Sequence, residues 1–218
     1  MKYWEDFLIE ILPSVENCPN PLAINAVRNA AIEFCQRSVV WRKELDPITI
    51  SATIKEYDLH AELENNETIS AINTGHILDN GQICPLYVTT TEELDSVVPQ
   101  WKGVTGQRSS AVFMKDTRTA QLYPIPETTI AGGLNLEMVL KPSRDATGVP
   151  DWLFEQWAEG IAAGAKARLF NMKSRPWYDA SFAMDEQDTF DAAVKDASMR
   201  VNKAHSRRTA KVQMRPLA

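Results

Sequence analysis

Cysteine is scarce. Cys18, Cys35 and Cys84 are the three in 218 residues, and they lie far apart. So few and so scattered, they form neither a disulfide framework nor a zinc ligand set. His60, His76 and His205 are equally dispersed, without the spacing of a metal-binding pair. Each reads as a solvated or edge residue. No apolar run approaches the ~20 residues needed to span a bilayer. The opening Met1-Lys2-Tyr3-Trp4-Glu5-Asp6 is too acidic and aromatic for a secretion signal. Synthesis in a cytoplasm is therefore expected, and Asn66-Glu67-Thr68 is not expected to be glycosylated. A Gly-x-Ser-x-Gly nucleophile elbow is missing. Gly103-Val104-Thr105-Gly106-Gln107-Arg108-Ser109 has the flavour of a phosphate loop, but it lacks the spacing and lysine of the Walker motif. The pairs Glu92-Glu93 and Asp185-Glu186 sit in polar contexts and read as solvated faces. Neither an internal repeat nor a low-complexity segment is present. These absences point away from an enzyme, a cofactor and a metal, and away from a membrane.

Apolar residues make up 44% of the chain, which marks it as globular. Its length suits one large domain or two small ones. The net charge of −6 is unevenly spread. From Ala197 onward there are six basic residues and no acid, which leaves 17 basic against 29 acidic residues in the rest. An acidic body with a basic tail implies that the tail has its own partner.

The stretch from Asp151 to Met172 reads as one long central helix. Phe154, Ala158, Ile161, Ala165, Leu169 and Met172 form one apolar stripe, and Leu153, Trp157, Gly160, Gly164 and Ala167 form a second face of small residues. Glycine inside a helix costs roughly 0.5–1 kcal/mol relative to alanine. Gly160 and Gly164, one turn apart, therefore predict close approach of another helix, in the same chain or in an adjacent copy. Trp152 and Trp157 open this helix, and Trp177 and Tyr178 follow Pro176. These rings are expected to pin the helix ends to neighbouring structure or to anchor an interface.

The remaining pattern is helix, helix, strands, helix. Residues 2–12 read as a short helix ended by Pro13. A second helix starts at Asn20-Pro21 and runs to about Arg42. From Asp46-Pro47 the pattern turns β-rich. Asn80-Gly81 marks a hairpin in 76–89, 116–119 a second one, and 134–141 a last strand. A further helix spans about 179–205, with Ala183, Phe190, Val194, Ala197 and Val201 as its stripe. The expected fold is α+β: a four-helix bundle with an antiparallel β domain, a small sandwich or barrel, inserted between helices 2 and 3. The boundaries are 1–45 and 143–205 for the two halves of the bundle, 46–142 for the β domain, and 206–218 for an extended basic C-terminal tail.

Three segments carry a family resemblance. One is Cys18-Pro19-Asn20-Pro21-Leu22 leading into Ala30-Ala31-Ile32-Glu33-Phe34-Cys35-Gln36-Arg37-Ser38 and Trp41. Another is Gln121-Leu122-Tyr123-Pro124-Ile125-Pro126. The third runs from Pro150-Asp151-Trp152-Leu153 through Glu159-Gly160-Ile161 and Gly164-Ala165-Lys166-Ala167-Arg168-Leu169 to Pro176-Trp177, Phe190, Ala193 and Ala197. In order and spacing they resemble the head-to-tail adaptor (connector) proteins of tailed bacteriophages, related to the tail tubular protein A of short-tailed phages. The resemblance implies a non-enzymatic virion protein at the portal vertex. It implies a ring, typically of twelve copies, that docks on the portal protein and receives the tail nozzle or tail tube. Genomic DNA would pass through the central channel without sequence-specific binding, and an acidic body would keep it from sticking to the wall. Rival readings are another head-completion or tail-terminator component, a DNA-binding module and an unrecognised enzyme. On this reading Trp157, Gly160, Gly164 and Trp177 pack helices or subunits. Arg207, Arg208, Lys211, Val212, Met214, Arg215 and Leu217 form a portal-binding tail. Apolar residues alternating with the charges favour docking on the portal or a neighbouring subunit over DNA binding or a merely solvated tail.

Overall fold

The computed structural model describes residues 1–59, 63–64 and 66–202. Five α-helices and twelve strands follow one another along them. They are β1 (Lys2–Tyr3), α1 (Leu8–Ile11), α2 (Asn20–Ser38), β2 (Arg42–Glu44), β3 (Ile48–Ile50), β4 (Glu56–Asp58), β5 (Glu67–Asp79), β6 (Gln82–Val88), α3 (Thr91–Val97), β7 (Thr105–Gly106), β8 (Ala111–Met114), β9 (Thr119–Tyr123), β10 (Ile125–Pro126), β11 (Ile130–Pro142), β12 (Gly148–Val149), α4 (Asp151–Phe170) and α5 (Ala180–Asn202).

Local chemistry accounts for several boundaries. Pro21 sits in the first turn of α2, where its missing N–H is no loss. The helix stops at Ser38, short of the expected Arg42. Val39 turns left-handed (φ 57°), and its N–H closes on the Cys35 carbonyl. The Ser38 hydroxyl donates to the Phe34 carbonyl at 2.7 Å. Beyond that cap, residues 42–44 extend into β2. The N-terminal stretch is likewise not one helix: Lys2 and Tyr3 pair with Val149 and Gly148, and a 3-10 turn over Trp4–Phe7 leads into the single turn of α1. The Trp4 indole donates to the Ala146 carbonyl at 2.6 Å, which fastens this start to the segment entering α4. The 76–89 hairpin forms as its turn residues require. Asn80 (φ 50°) and Gly81 (φ 80°) both take positive φ between β5 and β6.

The sheet departs from the expected architecture. Eight strands form one mixed half-barrel in the order β2-β11-β5-β6-β8-β9-β4, with β3 also on β11. Most neighbours are antiparallel, but Tyr87 and Val88 of β6 run parallel to Ala111 and Val112 of β8. The segment from 89 to 110, with α3 in it, crosses over instead of turning back as a hairpin. β7 and β10 form a second parallel pair. The expected four-helix bundle with an inserted antiparallel domain is therefore wrong. β11 is the spine: it pairs with β5 on one side and with β2 and β3 on the other, and its register shifts twice along β5. α2 packs directly on β11. One continuous cluster of buried side chains runs from Phe34, Trp157 and Phe190 among the helices to Leu134, Leu136 and Leu140 in the sheet. Periodicity reports each element's apolar face and not which partner covers it. Here the helices and the sheet cover each other, so the two layers share one core.

Candidate interaction surface

The helices α2, α4 and α5 form the layer that holds most of the residues singled out above. α4 lies between the other two and packs along α5. At Gly160, an added Cβ would come within 2.6 Å of the Ala193 Cβ. At Gly164 it would run into the Phe190 ring. Both glycines thus face α5 of the same chain, and their missing side chains set the separation of the helices. Phe34 of α2 closes the third side, with its ring 5.5 Å from Trp157 and 6.1 Å from Phe190. The Arg200 guanidinium covers Trp157 at 4.9 Å from the ring centroid. Arg37 of α2 binds Asp191 of α5 at 2.7 Å, and Arg168 of α4 pairs with Glu33 of α2. Trp157 therefore packs within the helical layer, whereas Trp177, also buried, sits in the turn between α4 and α5. Trp152 reaches the sheet side, edge-on to Trp41 at 6.5 Å.

At the far end of this layer the chain turns from α4 into α5. Phe170, Trp177, Tyr178 and Phe182 gather there with Ser14 around an open groove of about 460 Å³. The Phe170 and Phe182 rings are 5.8 Å apart, and Arg175 lies over Trp177 at 5.9 Å. Phe182 remains 56% exposed and Met184, on the next flank of α5, 70%. Phe182 and Met184 thus leave two large apolar side chains in solvent on the first turns of α5. Sequence reasoning picked out Trp177 and Tyr178 but missed Phe170 and Phe182. The available signal was the position of Phe182, which lies off the apolar stripe of its own helix.

Asp179 starts α5. Its carboxylate accepts from the N–H of Ser181 at 2.9 Å and of Phe182 at 3.2 Å. The Phe182 N–H is the largest influence holding its carboxyl below the usual carboxylate range, and Ser181 adds to it against partial desolvation. A lowered folded pKa stabilises the fold above the unfolded pKa, and that contribution is lost as pH falls through the folded one. Asp179→Asn, which still caps, is expected to leave neutral-pH stability nearly unchanged and to make the acid limb of the unfolding profile shallower. Circular dichroism melts across the acid range check this.

A second apolar surface lies on the β5–β6 hairpin. Leu78 pairs with Ile83 near its tip, and Ile83 and Tyr87 are 66% and 61% exposed. The Tyr87 hydroxyl donates to Glu93 at 2.8 Å and the Thr89 hydroxyl at 2.9 Å, so Glu93 of the Glu92-Glu93 pair ties α3 to this hairpin. The glycine-rich 103–109 stretch is committed to structure: Thr105 and Gly106 pair with β10, the Thr105 hydroxyl donates to Glu127, and Arg108 binds Asp79 at 2.6 Å. Cys35 is fully buried and burial pushes its thiol pKa up, so it acts as a small apolar side chain. His60, His205 and the tail residues Arg207, Arg208, Lys211, Val212, Met214, Arg215 and Leu217 lie outside the described residues. Among the described residues no helix is long and apolar enough to cross a membrane.

The helical layer thus ends in an open groove lined by aromatic side chains. Compared with known proteins, the chain matches no family model and no curated protein.

Proposed function

We propose that this protein is a head-to-tail adaptor of a tailed phage. It forms a ring, of about twelve copies as the resemblance implies, that joins the portal protein to the tail nozzle or tail tube and lines the DNA channel. The observation that carries the reading is convergence. Two of the three segments that resemble such adaptors lie more than 100 residues apart, yet their quoted residues meet: the Phe34 ring packs against Phe190, and a Cβ on Gly160 would lie 4.0 Å from the Phe34 ring. A resemblance spread over unrelated surfaces would have no such common core. Exposed aromatic side chains at one end of this layer supply the contact area a ring needs, and heterologous contacts that close by rotation make rings. The acidic body, 17 basic against 29 acidic residues before Ala197, suits a channel wall that lets DNA slide. The virion's portal vertex is the site of action on this reading.

The test is to mix purified protein with portal particles and image them by negative stain. A ring of added density on one face of the portal is expected. Unchanged portal particles at saturating protein would overturn the reading and favour another head-completion or tail-terminator component.

A further inference from the structure

The apolar stripe of α4 is unevenly covered. Ile161, Ala165 and Leu169 are fully buried, whereas Phe154 and Ala158, in the turns before them, are only partly so, although the Phe7 ring packs edge-on against Phe154 at 4.8 Å. Phe154 and Ala158 line an open groove of about 470 Å³ together with Lys2, Glu10, Glu155 and Glu159. The carboxylates of Glu10, Glu155 and Glu159 make no ion pair and no hydrogen bond among the described residues. Lys2, the one cation among the lining residues, lies over the Phe154 ring at 5.4 Å. The groove thus combines incompletely covered apolar side chains with three unpaired carboxylates.

We propose that residues 203–218 fold back onto this groove of their own chain, with basic side chains on the three glutamates and apolar ones over Phe154 and Ala158. The segment carries Lys203, Arg207, Arg208, Lys211 and Arg215, with Val212, Met214 and Leu217 among them and no acid. It therefore complements the groove in both charge and hydrophobicity. Position selects this groove. α5 runs back along α4: Phe190 faces Gly164, Ala193 faces Gly160, and the Arg200 guanidinium covers Trp157. The described chain thus leaves α5 at Asn202 beside the N-terminal turns of α4, the same turns that carry Phe154, Glu155, Ala158 and Glu159. A helix with its side chains is roughly 10–12 Å across, whereas a segment of this length spans up to ~55 Å when extended, so it reaches the groove with length to spare. The aromatic groove at the α4–α5 turn lies at the far end of α5, and its two acids are engaged, Asp179 in capping α5 and Glu186 with Lys166 at 3.5 Å. A nearer anchor closes a shorter loop at lower entropic cost, and the tether gives the segment a local concentration that an untethered partner lacks. Exposed ion pairs are individually weak, so the contact rests on several acting together and weakens with salt. It is made within one chain and does not depend on the adaptor reading.

Limited trypsin digestion of the full chain tests this, with a synthetic peptide of residues 203–218 as the undocked reference. Cleavage after Arg207, Arg208 and Lys211 should be about tenfold or more slower in the chain than in the peptide at low salt, because the protease acts on the undocked fraction. Glu155→Gln combined with Glu159→Gln changes two exposed residues without ion partners. The double variant should keep the melting temperature and raise the cleavage rate toward that of the peptide, as should added salt, measured against the peptide in the same buffer. Carbodiimide cross-linking then identifies the acceptor. A mixture of heavy-isotope-labelled and unlabelled full chains should give links from Lys203 or Lys211 to Glu10, Glu155 or Glu159 in which both halves carry the same label. Cleavage as fast as in the peptide, no effect of the double variant, links of mixed label that mark a second copy as the acceptor, or protection that arises only with duplex DNA or portal particles would each overturn the proposal. None of these outcomes bears on whether the chain rings the portal, which the negative-stain experiment decides.

Discussion

Gly164→Leu is expected to force α4 and α5 apart and to destabilise the fold by at least the ~1–3 kcal/mol typical of overpacking a core. The first atom of any side chain there meets the Phe190 ring. That ring cannot swing aside: Phe190 is buried, Phe34 lies 6.1 Å from it and the Arg37 guanidinium covers it at 5.7 Å. Removing a helical glycine returns roughly 0.5–1 kcal/mol of propensity, which is too little to offset the clash. Thermal and denaturant unfolding measure the difference. A midpoint equal to wild type would mean that the helices are not held at this distance. The companion experiment uses Gly160, where the obstacle is one methyl group. Gly160→Ala should destabilise, and adding Ala193→Gly should recover most of the loss. Such a coupling shows that the two positions touch.

The second large effect is expected at Phe34. Its side chain is fully buried where α2, α4 and α5 meet, between Trp157 and Phe190. Truncation to alanine removes an aromatic ring from a position that three helices cannot easily collapse upon. Phe→Ala in such cores costs about 3–5 kcal/mol, a large share of the 5–15 kcal/mol that typically separates folded from unfolded chains. Phe34→Leu keeps most of the volume and should cost clearly less. Since α2 also packs on β11, loss of Phe34 should loosen the joint between the helical layer and the sheet. Chemical unfolding followed by tryptophan fluorescence, with Trp157 next to the lesion, tests this. A loss below that of Phe34→Leu would show that the site is less constrained than its burial implies.

Elements with strong local chemistry are the ones that can be read from the chain. The long α4 follows from its apolar period. The positive-φ turn between β5 and β6 follows from Asn80-Gly81, because few other dipeptides tolerate both angles. The small face of α4 follows from Gly160 and Gly164, because a glycine pair inside a helix is a cost that close packing offsets. The identity of the neighbour does not follow. An adjacent copy and α5 of the same chain present the same requirement to α4, and only the folded structure places Ala193 and Phe190 opposite the glycines. The aromatic groove was half visible: Trp177 and Tyr178 stand out beside Pro176, but Phe170 and Phe182 join them only when the turn folds α5 back along α4.

The larger error lies in the pairing of strands. The helical pattern of α2 reads on to about Arg42, but the left-handed Val39 ends the helix at Ser38, and Lys2-Tyr3 extend only because Gly148 and Val149 are there to pair with them. The parallel pairing of β6 with β8 has no local marker, since the hydrogen-bond partner lies across more than 20 residues of crossover. Helical period and turn type depend on residues within a few positions of one another. Sheet order, the sharing of one core by both layers and the assembly of a groove depend on which distant surfaces bury each other best, a free energy that exists only once the whole chain has collapsed.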